Sequence, residues 1–126
     1  MRNSSGETLK ESMYGKVRLS REERRESALR PCSSLGYDRD SLALYLLEKE
    51  MFPLAESQLR RAVWLNPYES LFKQHLAWCL FRQDNFLEAR RWAQQAVAQR
   101  DDPDARQILR LIEEKLNLEV RPPRTL

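Results

Sequence analysis

The chain has 126 residues, a third of them charged but mixed in sign, with a formal net charge of only +3. No run approaches the ~18 apolar residues that span a bilayer, so membrane insertion is excluded, and no dominant charge implies nucleic acid as the partner. Length allows one domain plus tails. The amino terminus carries no apolar signal run, so a cytoplasmic or equivalent reducing location is expected. Cys32 and Cys79 form neither a CxxC motif nor a disulfide framework, and are read as one exposed thiol and one core residue.

Residues 1–35 are rich in Ser, Arg and Glu with few large apolar groups, which reads as a mobile arm. One short helix is expected within it, opened by the Ser20 and Glu23 capping box. Ala28 and Leu29 sit where the second helix of an upstream repeat would place a small and an aliphatic residue, while their neighbours are Arg and Glu.

From residue 36 the chain repeats itself. Phe52, Ala55, Leu59, Ala62, Val63 and Pro67 recur 34 positions later as Phe86, Ala89, Ala93, Ala96, Val97 and Asp101. The preceding stretch repeats too: Leu42, Ala43, Tyr45, Leu46 and Leu47 pair with Leu76, Ala77, Cys79, Leu80 and Phe81. A 34-residue period is that of stacked helix pairs, which usually form a binding scaffold. Asn66 followed by Pro67 and Glu69, Asn85 followed by Glu88, and Asp102 followed by Pro103 mark expected helix starts. Small alanines at 55, 62, 77, 89, 93 and 96 let neighbouring helices approach closely.

These residues resemble the tetratricopeptide repeat family. The resemblance rests on Leu76-Ala77, Leu80-Phe81, Phe86, Glu88-Ala89, Ala96-Val97, Ala62-Val63 and Leu65-Asn66-Pro67, and covers about residues 36 to 101. It implies an all-α protein of antiparallel helix-turn-helix hairpins stacked as a short right-handed solenoid, with repeats at 36–69 and 70–102. Departures from the family pattern are Arg39 and Lys73 in place of a large aromatic, and Glu50 and Asp84 in place of a small turn residue. A terminal helix follows at 103–116, with Ala105, Ile108, Leu109, Ile112 and Leu116 on one stripe and Arg106, Arg110, Glu113 and Glu114 outside it. Residues 117–126 form a tail in which Pro122-Pro123 ends any helix, and whose Arg-Pro-Pro-Arg is either a polyproline ligand or a solvated end.

The first helix of the second hairpin is apolar almost all round, through Leu71, Phe72, Leu76, Ala77, Trp78, Cys79, Leu80 and Phe81. A helix with one wet side shows a single stripe, so something must cover the extra side. By family spacing the inner groove consists of Tyr37, Asp40, Leu44 and Leu47 from the first hairpin, and Gln74, Trp78 and Phe81 from the second with Leu71 at its rim. The family's carboxylate-gripping residues are absent, since the matching positions are Asp40, Leu44, His75, Ala105 and Leu109. An apolar groove instead favours an amphipathic helix or extended apolar segment of another protein. The alternative covering of Trp78 and Phe81 is the arm or terminal helix of the same chain.

Catalysis, cofactors and metals have no support: His75 stands alone, and no phosphate loop or nucleophile motif occurs. The reading is therefore a non-catalytic interaction module, adaptor or chaperone. Two alternatives stand beside it. Arg60, Arg61, Arg90, Arg91, Arg100, Arg106 and Arg110 could form a basic convex face for nucleic acid or an acidic partner, although acidic residues are interleaved. Because two repeats seldom bury a core alone, a homo-oligomeric scaffold is the other.

Overall fold

The structure, a computed structural model, describes residues 19–120. Residues 1–18 of the expected arm and the Pro122-Pro123 segment of the tail lie outside the described residues. Among the described residues the fold is all-helical: α1 (Arg21–Leu29), α2 (Tyr37–Glu48), α3 (Phe52–Leu65), α4 (Ser70–Arg82), α5 (Phe86–Gln99) and α6 (Pro103–Val120). From α2 onward each helix packs on the next, and α4 additionally touches α2 and α6. The terminal helix runs one turn past residue 116, because nothing in Asn117–Val120 breaks it before the prolines.

The 34-residue period is carried by the backbone as well as by the side chains. α3 and α5 begin and end 34 positions apart, and so do the ends of α2 and α4. Both of the latter close in the same way: Met51 N–H donates to Leu46 O (2.8 Å) and Glu50 N–H to Leu47 O (3.0 Å), then Asn85 N–H to Leu80 O (2.9 Å) and Asp84 N–H to Phe81 O (3.0 Å). This is the Schellman arrangement, which needs a left-handed residue where glycine is usual. Here Glu50 (φ 58°) and Asp84 (φ 64°) fill that position. Left-handed backbone costs most L residues ~1–2 kcal/mol, partly offset by the entropy glycine would lose. Glu50→Gly should therefore raise stability by about 1 kcal/mol, and Asp84→Gly by less, because aspartate tolerates this region better. Paired urea titrations measure both, and destabilisation by either would show that the side chain outweighs the strain.

Two expected caps are present, and a third expected helix start is in place without its capping bond. Ser20 Oγ accepts from Glu23 N–H (3.0 Å) while Glu23 Oε1 accepts from Ser20 N–H (2.8 Å), Asn85 occupies the N-cap of α5, and Asp102 Oδ1 accepts from Asp104 N–H (2.7 Å). Asn85 differs in detail, turning its amide to Glu88 Oε1 (3.2 Å) rather than capping a backbone N–H. The helix start expected at Asn66 is a correction: Asn66 is the C-cap of α3, and α4 opens at Ser70 behind Glu69, whose carboxylate accepts from Leu71 N–H (3.1 Å). Asn66 is recruited elsewhere. Its buried amide donates to the carbonyls of Ser33 (3.2 Å) and Leu35 (3.0 Å), and its Oδ1 accepts from Tyr68 N–H (3.1 Å).

The core runs through α2 to α6. Leu59, Leu65, Phe72, Leu76, Leu80 and Ile112 are fully enclosed, and the six alanines expected to admit close helix approach are all buried. α4 is the central member: no residue from 70 to 81 is exposed. Its apolar circumference is met by α3 and α5 on two sides and by α2 and α6 elsewhere, with Trp78 left partly open. α6 contributes Ala105 and Ile112 fully, with Ile108, Leu109 and Leu116 packed against the core.

α1 attaches differently. Its one buried residue is Glu26, whose carboxylate accepts from Arg39 Nε (3.1 Å) and Nη2 (2.8 Å) and from Arg61 Nη2 (3.4 Å). Ala28 and Leu29 are exposed, so the partial repeat suggested by those two residues does not supply an apolar seam. Charged neighbours along α1 leave it no continuous apolar stripe to bury.

Candidate functional site

A cleft of about 570 Å³ opens at the carboxyl-terminal ends of α2 and α4, lined by Leu44, Tyr45, Leu47, Glu48, Glu50, Trp78 and Arg82. Two of its pairs are the same repeat positions taken twice: Leu44 with Trp78 and Glu48 with Arg82 are each 34 residues apart, and within each helix the two lie four apart on one face. Repetition thus sets an apolar position and a charged one side by side on adjacent helices. Phe81 stands behind Trp78, stacked on it at 5.4 Å and 27°, and leans on Phe86 at 5.6 Å. That stack fixes the indole from the core side.

The charged rim is organised by aromatic rings. The Arg82 guanidinium lies 5.0 Å from the Phe52 ring centroid and 5.9 Å from that of Trp78, and Lys49 Nζ lies 5.5 Å from the Tyr45 ring. Such cation–π placement holds each cation over an apolar surface without burying it. Glu48 and Glu50 line the same cleft and stay exposed. Leu44 and Tyr45 are about half exposed (43% and 56%), more than a core position tolerates.

The eight residues expected to line one groove are divided by the structure. Leu44, Leu47 and Trp78 line the cleft, with Phe81 as its backing. Tyr37 is at the opposite end of α2, its hydroxyl donating to Glu69 Oε1 (2.8 Å) and its ring edge-on to Phe72 (5.0 Å, 66°). The Glu69 hydrogen bond raises the Tyr37 phenol above its usual range. Asp40 is buried and turned into the α2–α4 seam, where its Oδ1 lies 2.7 Å from His75 Nδ1. This pairing removes Asp40 from the groove and gives His75 a structural partner. Leu71 and Gln74 are half-buried on the amino-terminal half of α4 and border no part of the cleft. The single continuous groove expected along α2 and α4 is thereby shortened to its carboxyl-terminal end.

Sequence reasoning missed Tyr45, Glu48, Glu50 and Arg82. For Glu48 and Arg82 a signal existed: stepping one helical turn onward from Leu44 and Trp78 names both. Glu50 had none, since its approach depends on the left-handed turn.

Neither α1 nor α6 contributes a residue to the cleft, so neither covers it. A second, smaller cleft of about 390 Å³ lies between α1 and the segment before α2, bounded by Glu22, Arg25, Leu29, Leu35 and Tyr37 among others. The arginines on the second helices are partly engaged within the chain. Arg60 bridges Glu56 (2.8 Å) and Glu88 (2.7 Å), tying α3 to α5, and Arg61 reaches the Glu23 carbonyl (3.0 Å) and Ser27 Oγ (3.1 Å). The Arg60 hydrogen bond holds the Glu88 carboxyl below the usual range, as the Arg39 hydrogen bonds do for Glu26.

The thiols behave as opposites. Cys79 is fully buried with its S–H on Phe52 O (3.3 Å), and burial pushes it up to about 11. Cys32 is half-buried and lowered by its contact with Ser34. Among the described residues no cluster of three or more His, Cys, Asp or Glu could hold a metal, and no helix is long and apolar enough to cross a membrane.

Compared with known proteins, the chain matches no family model, no curated protein and no solved structure, so function must be read from the residues themselves.

Proposed function

We propose that this chain is a tetratricopeptide-type module whose hairpins stack as a short right-handed solenoid, and that it binds a segment of another protein without catalysing a reaction. The observation that carries the reading is the open cleft in which Trp78, backed by Phe81, stands beside exposed Leu44 and Tyr45. Large aromatics fixed in place and left accessible are the commonest anchors of protein partners. The lining favours an amphipathic helix or extended segment that inserts one or two apolar side chains and sets a cation near Glu48 and Glu50. The basic-face alternative loses weight because Arg60 and Arg61 are engaged with intramolecular partners.

The test uses peptides selected from a random display library against the whole chain. Trp78→Ala with Phe81→Ala should weaken the selected peptides about 30-fold or more, as loss of a hot spot of ~2 kcal/mol requires. Arg90→Ala with Arg91→Ala should leave them within about twofold, and added salt should hardly weaken them. Selected ligands that ignore the aromatic pair, need the arginines and fade steeply with salt would transfer the function to the convex face. Light scattering over a dilution series addresses self-association: a dimer that dissociates when a cleft-binding peptide is added would make assembly the function.

A further inference from the structure

α1 is held by charge where every other helix is held by apolar packing. α2 through α6 each bury apolar side chains in the core, whereas α1 buries Glu26 alone and leaves an open space of about 390 Å³ beneath it. The Glu26 carboxylate sits in a built cradle. Arg39 meets it with two N–H groups, and the same guanidinium is steadied by Nη1 donating to Gln58 Oε1 (3.1 Å). Arg61 Nη2 reaches the carboxylate (3.4 Å), the Glu23 carbonyl and the Ser27 hydroxyl, while its Nε is buried without a hydrogen-bond partner among the described residues. Two guanidiniums in this arrangement form a fork that recognises a carboxylate and the backbone around it.

The segment that follows α1 is anchored independently. Arg30 Nε donates to Trp64 O (2.8 Å) and its guanidinium lies 4.2 Å from the Trp64 ring centroid. Cys32 N–H donates to Leu65 O (3.1 Å), and Asn66 holds the Ser33 and Leu35 carbonyls. Rotation about residue 29, with loss of the Arg30 N–H bond to Glu26 O (3.1 Å), would therefore release α1 while residues 30–36 stay in place. Its departure would uncover the arginine fork and the Leu35 and Tyr37 side of the smaller cleft, none of which belongs to the enclosed core.

We propose that α1 is a displaceable internal ligand, and that the Arg39–Gln58–Arg61 cradle beneath it is a docking site for a glutamate-bearing helix of another protein. The present occupant defines what fits: a glutamate followed by a hydroxyl residue, with a helix carbonyl three positions before that accepts a second donor from Arg61. While α1 is docked, an incoming helix meets the cradle only in the fraction of molecules where α1 is out, which lowers its apparent affinity by that fraction. This site is separate from the Trp78 cleft and stands whether or not the cleft binds a partner.

The probe is a fluorescent synthetic peptide of residues 19–31 of this chain, titrated against the full chain and its Glu26→Gln variant. The variant should bind it at least tenfold more tightly than the unmodified chain. A peptide carrying Glu26→Gln should not bind, and Arg39→Gln added to the variant should abolish binding. Hydrogen exchange on the same variant should quicken at least tenfold in α1 with α2–α6 unchanged. Glu26→Asp, which withdraws the carboxylate but keeps its charge, should fall between. Equal binding by both chains, no binding to the variant at millimolar peptide, or loss of α2–α6 protection together with α1 would each overturn the proposal.

Discussion

Gly36→Ala should lower the stability of the chain by about 3 kcal/mol, read as the shift of the urea midpoint at constant slope. Gly36 precedes α2 at φ 95°, where an L residue is strained by ~1–2 kcal/mol. A methyl group there would stand 2.7 Å from Phe72 Cε2 and 3.2 Å from both Phe72 Cζ and Ala62 O. Phe72 cannot yield readily, because it is fully buried in α4 and braced edge-on by Tyr37. Overpacking of this kind adds ~1–3 kcal/mol. A loss below ~1 kcal/mol would mean that the Phe72 ring has room to move and that the core around α4 is looser than its enclosure indicates.

The second large effect is at Asn66. Asn66→Asp preserves shape and keeps an acceptor for Tyr68 N–H, but replaces the amide donor by a carboxylate oxygen within 3.0–3.2 Å of two carbonyl oxygens. Two lost hydrogen bonds and a buried charge facing them should cost about 3 kcal/mol or more at neutral pH. The sign with pH follows from where the proton is held. Burial against carbonyls raises the carboxyl in the folded state above its unfolded value of ~3.9, so the folded variant binds the proton more tightly. Its deficit should therefore be smallest below that unfolded value and grow as pH rises through the raised folded value. Asn66→Ala is the control, with a smaller and pH-independent loss at that site. Urea titrations at pH 4 and pH 7 decide it, and a deficit that shrinks with rising pH would contradict the geometry.

What could be seen in the sequence was what the repeat enforces. Two side-chain sets 34 residues apart fix the helix pairs, because apolar spacing and short turns act locally and recur. Leu44, Leu47, Trp78 and Phe81 were named for the same reason. Asp40 was misplaced because its partner His75 lies on another helix, one position off the repeat register, and only packing brings the two together. Asn66 was misjudged in the same sense: next to Pro67 it has the composition of a helix start, but a distant loop claims its amide. Arg39 offered a hint that went unread. A charged residue in the first turn of an otherwise packed helix calls for a buried partner, and its guanidinium finds one in Glu26.

The central place of α4 has a consequence for how this molecule comes apart. Long repeat arrays can melt one unit at a time, since each unit touches only its neighbours. Here a single helix is shared by four others, and removing either end of the array strips cover from Phe72, Leu76 or Leu80. Partial melting of α2–α6 should therefore find no stable intermediate to stop at, and these helices are expected to open as one cooperative block. Cys79, buried in α4 with its S–H on Phe52 O of α3, becomes an internal clock of that opening, because its thiol meets solvent once α3 and α4 part.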